Sequence, residues 1–307
     1  MLNEHTDRGP HTHAPVRFGL AFAVGAALNL ALVAAQVFFG FLAHSTALLA
    51  DAVHNAGDAL GLVTAWVAFV LGHRQPTARH TYGLGRGTIL AALGNAVVLL
   101  LSTGAIVIEA VQRLYAPVPV ATTTVAWTAA AGIAVNGVTA LLFLRGHEDL
   151  NIRAAFLHMA GDAAISAGVL LAALAIAATN VAAIDPAVSL VIAVVLIVST
   201  WRVLLDAVNL AMDGVPSRLD HPEVQDWLAA LPGVLEVHDL HIWALSTTRT
   251  ALTAHLVCTE AADRAALVPE ACHGLAERFA ITHATLQIET EAMAAACELR
   301  PAVVTAC

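Results

Sequence analysis

Six apolar stretches fill the first two thirds of the chain, at roughly 17–42, 46–72, 87–112, 121–145, 152–178 and 185–208. Each is longer than the roughly 20 helical residues that cross a hydrocarbon core about 30 Å thick. In lipid every backbone N–H and C=O must find a partner inside the protein, so isolated stretches of this kind span as helices. Composition points the same way: 59% of the 307 residues are hydrophobic and 12% are charged, against about 25% charged in a typical soluble domain. The joins are short. Pro117 and Pro119 punctuate one of them, and Pro186 opens the sixth stretch in its first turn, where proline is tolerated. Arg17, Arg74, Arg79, Arg86, Arg145, Arg153 and Arg202 gather at one end of the six stretches and only Arg113 at the other. The positive-inside rule predicts that the arginine-rich end, and with it both termini, lies in the cytoplasm. The opening MLNEHTDRGPHTHAPVR lacks the order of a cleaved signal peptide, and we expect none.

Past Asp213 the texture changes: charges return and apolar runs shorten. HPEVQDWLAAL reads as a helix, VLEVHDLHIWAL and TALTAHLVCTE as strands, ADRAALVPEACHGLAERFA as a second helix and HATLQIETE as a third strand. The order αββαβ predicts a small α+β domain with its helices on one face of the sheet. The expected organisation is a tail at 1–16, a six-helix membrane domain at 17–210, a cytoplasmic domain at 211–291 and a tail at 292–307 without assigned structure.

The second stretch raises a chemical question, because DAVHNAGDALG places Asp51, His54 and Asp58 in a segment otherwise suited to lipid. As a helix, all three share one face. LHMAGDAAIS in the fifth stretch repeats the theme, with His158 and Asp162 at the same i, i+4 spacing as His54 and Asp58. An ionised side chain at mid-bilayer costs at least about 2.5–3.5 kcal/mol. If the two helices meet, two imidazoles and two carboxylates suit a tetrahedral zinc ion, whereas Mg2+ and Ca2+ favour all-oxygen shells. Asp51, on the same face, is a candidate to orient a ligand histidine; its alternative is a helix-packing hydrogen bond. The small neighbours Ala52, Ala56, Gly57, Ala160, Gly161 and Ala163 permit close helix approach.

In the C-terminal domain, His238, His255 and His283 could converge across neighbouring strands with Glu289, while plain alternation sends His238 and His241 to opposite faces. His5, His11 and His13 on the N-terminal tail, and His73 and His80 in the loop after the second stretch, are further candidates. The cysteines at 258, 272, 297 and 307 form no CxxC pair, and the net charge of −9 argues against nucleic acid as a partner.

These residues resemble the cation diffusion facilitator family, in its branch of bacterial zinc and cadmium exporters. ALLADAVHNAGDALG and NIRAAFLHMAGDAAISAGVLLAAL carry the likeness, with RHTYGLGR, DPAVSL, VHDLHIW and ATLQIE in family order over about 17–290. The resemblance implies a ferredoxin-like cytoplasmic domain, a homodimer in the inner (plasma) membrane, and proton-coupled export of Zn2+ through His54, Asp58, His158 and Asp162. It also implies regulatory zinc near His238, His255, His283 and Glu289. Leu84 and Thr77 stand where some relatives place a ligand histidine and an acid, and only His147 marks the join between the fourth and fifth stretches. Cd2+, Co2+ and Ni2+ remain open as cargo. The rival readings are a Mn2+ or Fe2+ transporter on the same scaffold, an intramembrane zinc metalloenzyme and a non-transporting sensor. No HExxH motif is present for the enzyme reading.

Overall fold

The computed structural model describes residues 20–72, 75–143 and 150–296. Six long helices come first: α1 (Leu20–Leu42), α2 (Thr46–Gly72), α3 (Gly87–Tyr115), α4 (Thr122–Phe143), α5 (Leu150–Thr179) and α6 (Ile184–Ala211). Three segments among the described residues, Gly87–Tyr115, His158–Thr179 and Ile184–Ala211, are by themselves long and apolar enough to cross a membrane. The outer faces are greasy: Leu90, Leu101 and Ile108 of α3 and Val191 and Val194 of α6 are all more than 60% exposed. Polar residues are buried instead, among them Gln36, Asp51, Asn55, Asp162 and Ser166. That inversion suits a lipid solvent.

α2 lies at the centre, packed on α1, α3, α5 and α6, while α4 packs chiefly on α5 and α3 on α6. Its first turn is capped twice, by Ser45 just before it, whose hydroxyl accepts from the Leu48 N–H at 3.1 Å, and from another helix. The Asp185 carboxylate accepts from the Thr46 N–H at 2.7 Å, the Thr46 hydroxyl at 2.8 Å and the Ser45 hydroxyl, which satisfies orphan donors at the helix start. α2 therefore begins beside the start of α6, and the end of α6 feeds the C-terminal domain. The level of Thr46 and Asp185 is the distal end of the bundle, and the level of the C-terminal domain is the proximal end. Around Ala47, Leu48, Val125, Ala129, Val169 and Ala173 the distal half is packed with buried apolar side chains.

α6 stops where Asp213 adopts a left-handed conformation (φ 60°) and the Gly214 N–H turns back to the Asn209 carbonyl, a Schellman turn. Beyond it come α7 (His221–Ala229), β1 (Val234–Ala244), β2 (Thr250–Cys258), α8 (Arg264–Phe279) and β3 (Ile281–Glu289). The sheet order is β1-β2-β3, antiparallel between β1 and β2 and parallel between β2 and β3. The core of this domain joins Val237, Ile242, Leu252, Leu256 and Ile281 to Val224, Leu228, Leu267 and Leu275 of the helices. The expected αββαβ order is present, and one further short helix, α9 (Glu291–Ala295), follows where the sequence assigned no structure. Thr290 starts it by accepting from the Met293 N–H.

Candidate metal centre

Helices α2 and α5 run antiparallel, and that direction turns two identical His-x-x-x-Asp spacings into crossed pairs. His54 Nε2 lies 2.9 Å from Asp162 Oδ1, and His158 Nε2 lies 3.3 Å from Asp58 Oδ1. Each imidazole also faces the carboxylate of its own helix, His54 to Asp58 at 3.8 Å and His158 to Asp162 at 3.9 Å. Ligand atoms of His54, Asp58 and Asp162 all lie within 4.8 Å of one another; His158 borders this trio through its two carboxylate contacts. Asp58 Oδ2 is buried without a hydrogen-bond partner, an expensive condition for an isolated carboxylate oxygen and a useful one for a cation. Side-chain exposure grades from 3% at Asp162 through 16% at His54 and 19% at Asp58 to 49% at His158.

Asp51 does not orient a ligand histidine. Its hydrogen bonds among the described residues come from Gln36 Nε2 at 2.7 Å, Ser166 Oγ at 2.9 Å and Asn55 Nδ2 at 3.3 Å. The shared helix face was legible from spacing; the donors on α1 and α5 were not, because i, i+3 patterns report nothing about a neighbouring helix. Among the other polar residues in the spans, Glu109 pairs with Arg113 near the end of α3 at 2.8 Å.

A second cluster sits on the sheet face opposite the domain's helices. His238 of β1 pairs directly across from His255 of β2, their rings 5.0 Å apart. Glu289 of β3 reaches both, 3.0 Å from His238 Nε2 and 3.0 Å from His255 Nδ1. Ligand atoms of the three converge within 4.8 Å, and the buried His238 Nδ1 has no partner. Burial alone would push the Glu289 carboxyl up; hydrogen bonds from His238 and Gln287 and the charges of His255 and His238 outweigh it and hold the group below its ordinary value of 4.5.

His283 does not join this group. In the parallel register it stands beside Ala251, whereas Gln287 stands beside His255; four strand residues, about 13 Å, separate those levels. Its ring instead meets Tyr82 edge-on at 5.4 Å. His241 also departs from expectation. Between the pairs His238 with His255 and His241 with Thr253, β1 spends three residues where β2 spends two. This bulge, with Asp239 at φ 48°, returns His241 to the same sheet face as His238. There Asp239 contacts His241 at 2.9 Å and His255 at 3.7 Å. Asp239 was not anticipated, since only the bulge turns it toward the histidines. His80 is exposed in a tight turn closed by Thr77 and belongs to neither cluster. His5, His11, His13 and His73 lie outside the described residues.

A polytopic helical membrane protein with a histidine–carboxylate cluster between two helices and a small α+β domain at its proximal end is the class these features define. The chain belongs to the cation efflux family: the family model for the cation efflux transmembrane domain matches residues 22–210, and that for the cation efflux protein cytoplasmic domain matches 216–291. It is similar to the zinc transporter ZitB of Escherichia coli (37% identity over 88% of this chain and 86% of the relative). It is also similar to the cadmium, cobalt and zinc/H(+)-K(+) antiporter of Bacillus velezensis (35%, covering 82% of each) and to the metal cation efflux system protein CzcD of Cupriavidus metallidurans (34%, 87% and 85%). A solved structure described as the metal-bound C-terminal domain of the CzcD transporter matches 23% of this chain and 99% of its own at 43% identity, with a TM-score of 0.22.

Proposed function

We propose that this protein exports Zn2+ from the cytoplasm in exchange for protons, with His54, Asp58, His158 and Asp162 holding the ion in mid-membrane. The observation that carries the reading is the crossed pairing of two imidazoles and two carboxylates on antiparallel helices, graded from buried to exposed toward the proximal end. Relatives named as a zinc transporter and as a cadmium, cobalt and zinc antiporter support it.

The chemistry follows from the ligands. A neutral imidazole and an ionised carboxylate coordinate a divalent ion, and binding displaces their protons. Entering from the proximal side, Zn2+ meets His158 and Asp58 first and His54 and Asp162 next. When the bundle opens distally, protons compete with the ion for the same nitrogen and oxygen atoms. The returning protons reset the site. Two nitrogens and two oxygens favour Zn2+ and leave Co2+, Ni2+ and Cd2+ as competitors.

In this reading residues 17–210 are the transport unit and 211–291 a cytoplasmic unit through which two copies associate in the inner membrane. His238, His255 and Glu289 form its regulatory zinc site; the unpartnered His238 Nδ1 fits a ligand role. His283 has no part in it.

The test is flux in proteoliposomes with a pH gradient and a panel of metals. Asp58→Ala and Asp162→Ala each abolish Zn2+ uptake while the protein still purifies as a dimer. Wild-type rates in both variants would refute the site. Glu289→Ala lowers the bound-zinc stoichiometry without abolishing flux.

A further inference from the structure

The contacts between α2 and α5 continue distally past the ligands. Counted from the proximal end, Asp58 meets His158, His54 meets Asp162, and Asp51 meets Ser166. The third pair contains no second ligand-type side chain. Asp51 and Ser166 are both fully buried, as are Gln36 and Asn55, which complete the network: Gln36 donates to Asp51, and Asn55 donates to Gln36 Oε1 at 3.0 Å and to Asp51. One turn further out, Leu48 of α2 and Val169 of α5 enter the distal apolar cluster, and both are buried. Side-chain exposure thus falls from half-exposed His158 at the ligand level to none at Asp51 and Ser166.

We propose that the hydrogen bond from Ser166 to Asp51 is the distal latch of the ion pathway, a bond between the two ligand-bearing helices that must break before the site opens outward. Asp51 is a positioning residue in this role and not a metal ligand. Its other two donors keep the carboxylate satisfied when Ser166 lets go, so the latch opens without stranding a buried acceptor. α4 sets its tightness: a Cβ on Gly132 would lie 2.8 Å from Ser166 Oγ, so only glycine there leaves the hydroxyl free to reach Asp51.

The inference rests on the four-ligand transport reading, and its test is read without transport. A Val169→Cys reporter sits just beyond the latch. In intact cells it is exposed to a thiol reagent that does not enter the cytoplasm, and labelling is scored by mass on the tryptic peptide 154–202, which holds no other cysteine. With the latch intact, labelling is slow. Ser166→Ala raises it about fivefold, the population shift expected from losing one hydrogen bond; Gly132→Ala raises it in the same direction, and Ser166→Thr, which keeps the hydroxyl, leaves it within about twofold. Zn2+ affinity of the purified Ser166→Ala protein stays within about threefold of wild type, because no ligand has been touched. Unchanged labelling in Ser166→Ala overturns the latch, and so does a loss of Zn2+ binding, which would make this pair part of the ion shell. If Asp58→Ala transports normally, the four-ligand reading fails while the labelling result stands on its own.

Discussion

Glu289 shows what one side chain contributes to its domain. Folding lowers its pKa, so the ionised form stabilises the C-terminal domain above the ordinary value of 4.5, and that contribution is lost as pH falls through the lower folded value. In metal-free protein we expect amide protection of β1 and β3 to decline over that acidic range. In Glu289→Gln the decline disappears from a lower starting level, as hydrogen–deuterium exchange would register. The grouping of His54, Asp58, His158 and Asp162 was legible at this scale because His-x-x-x-Asp fixes a helix face. His283 was misplaced because its level on β3 depends on how far the α8 crossover advances the chain, which no local pattern encodes. The His241 face was misjudged because one extra residue at a bulge inverts strand parity.

Among elements, α2 adds to its own Ser45 cap a second one supplied by another helix. Replacing Asp185 with alanine removes the acceptor for Ser45 and Thr46, and we expect a loss of about 2 kcal/mol, read as a lower thermal midpoint in detergent. Ser45→Ala removes both a donor to Asp185 and the acceptor of the Leu48 N–H, and costs a comparable amount. In the C-terminal domain α7 and α8 meet where the Trp227 ring lies over Gly274; an added Cβ would sit 2.3 Å from the ring edge. Gly274→Ala therefore forces Trp227 off its seat at a cost of about 1–3 kcal/mol, which denaturant unfolding followed by tryptophan emission measures. The five-residue α9 was not readable, whereas the existence and extent of the six long helices were, because apolar length is a local property. The capping of one helix by the first turn of another, 139 residues away for Thr46 and Asp185, is not.

Across the whole molecule, two sets of contacts among the described residues join the C-terminal domain to the membrane bundle. One is the chain itself, where α6 passes through the turn at Asp213, whose carboxylate pairs with Arg86. The other is the β1–β2 turn and the adjoining start of β3: the Thr247 N–H donates to Thr88 Oγ1 in the first turn of α3 at 3.1 Å, Arg249 donates to the Tyr82 carbonyl at 3.3 Å, and the Tyr82 ring meets His283. Gly85 makes this approach possible, since a Cβ there would lie 2.7 Å from the Leu245 carbonyl. Gly85→Ala should lift the turn away, speeding amide exchange at 245–249; unchanged exchange would show the contact to be dispensable. A body fastened at one point can swivel in any sense, whereas one fastened at two can only tip about the line through them. The β1–β2 turn carries the same two strands as His238 and His255, so a rearrangement of that cluster would arrive at α3 and α6 as a tilt about a single axis, with direction as well as size.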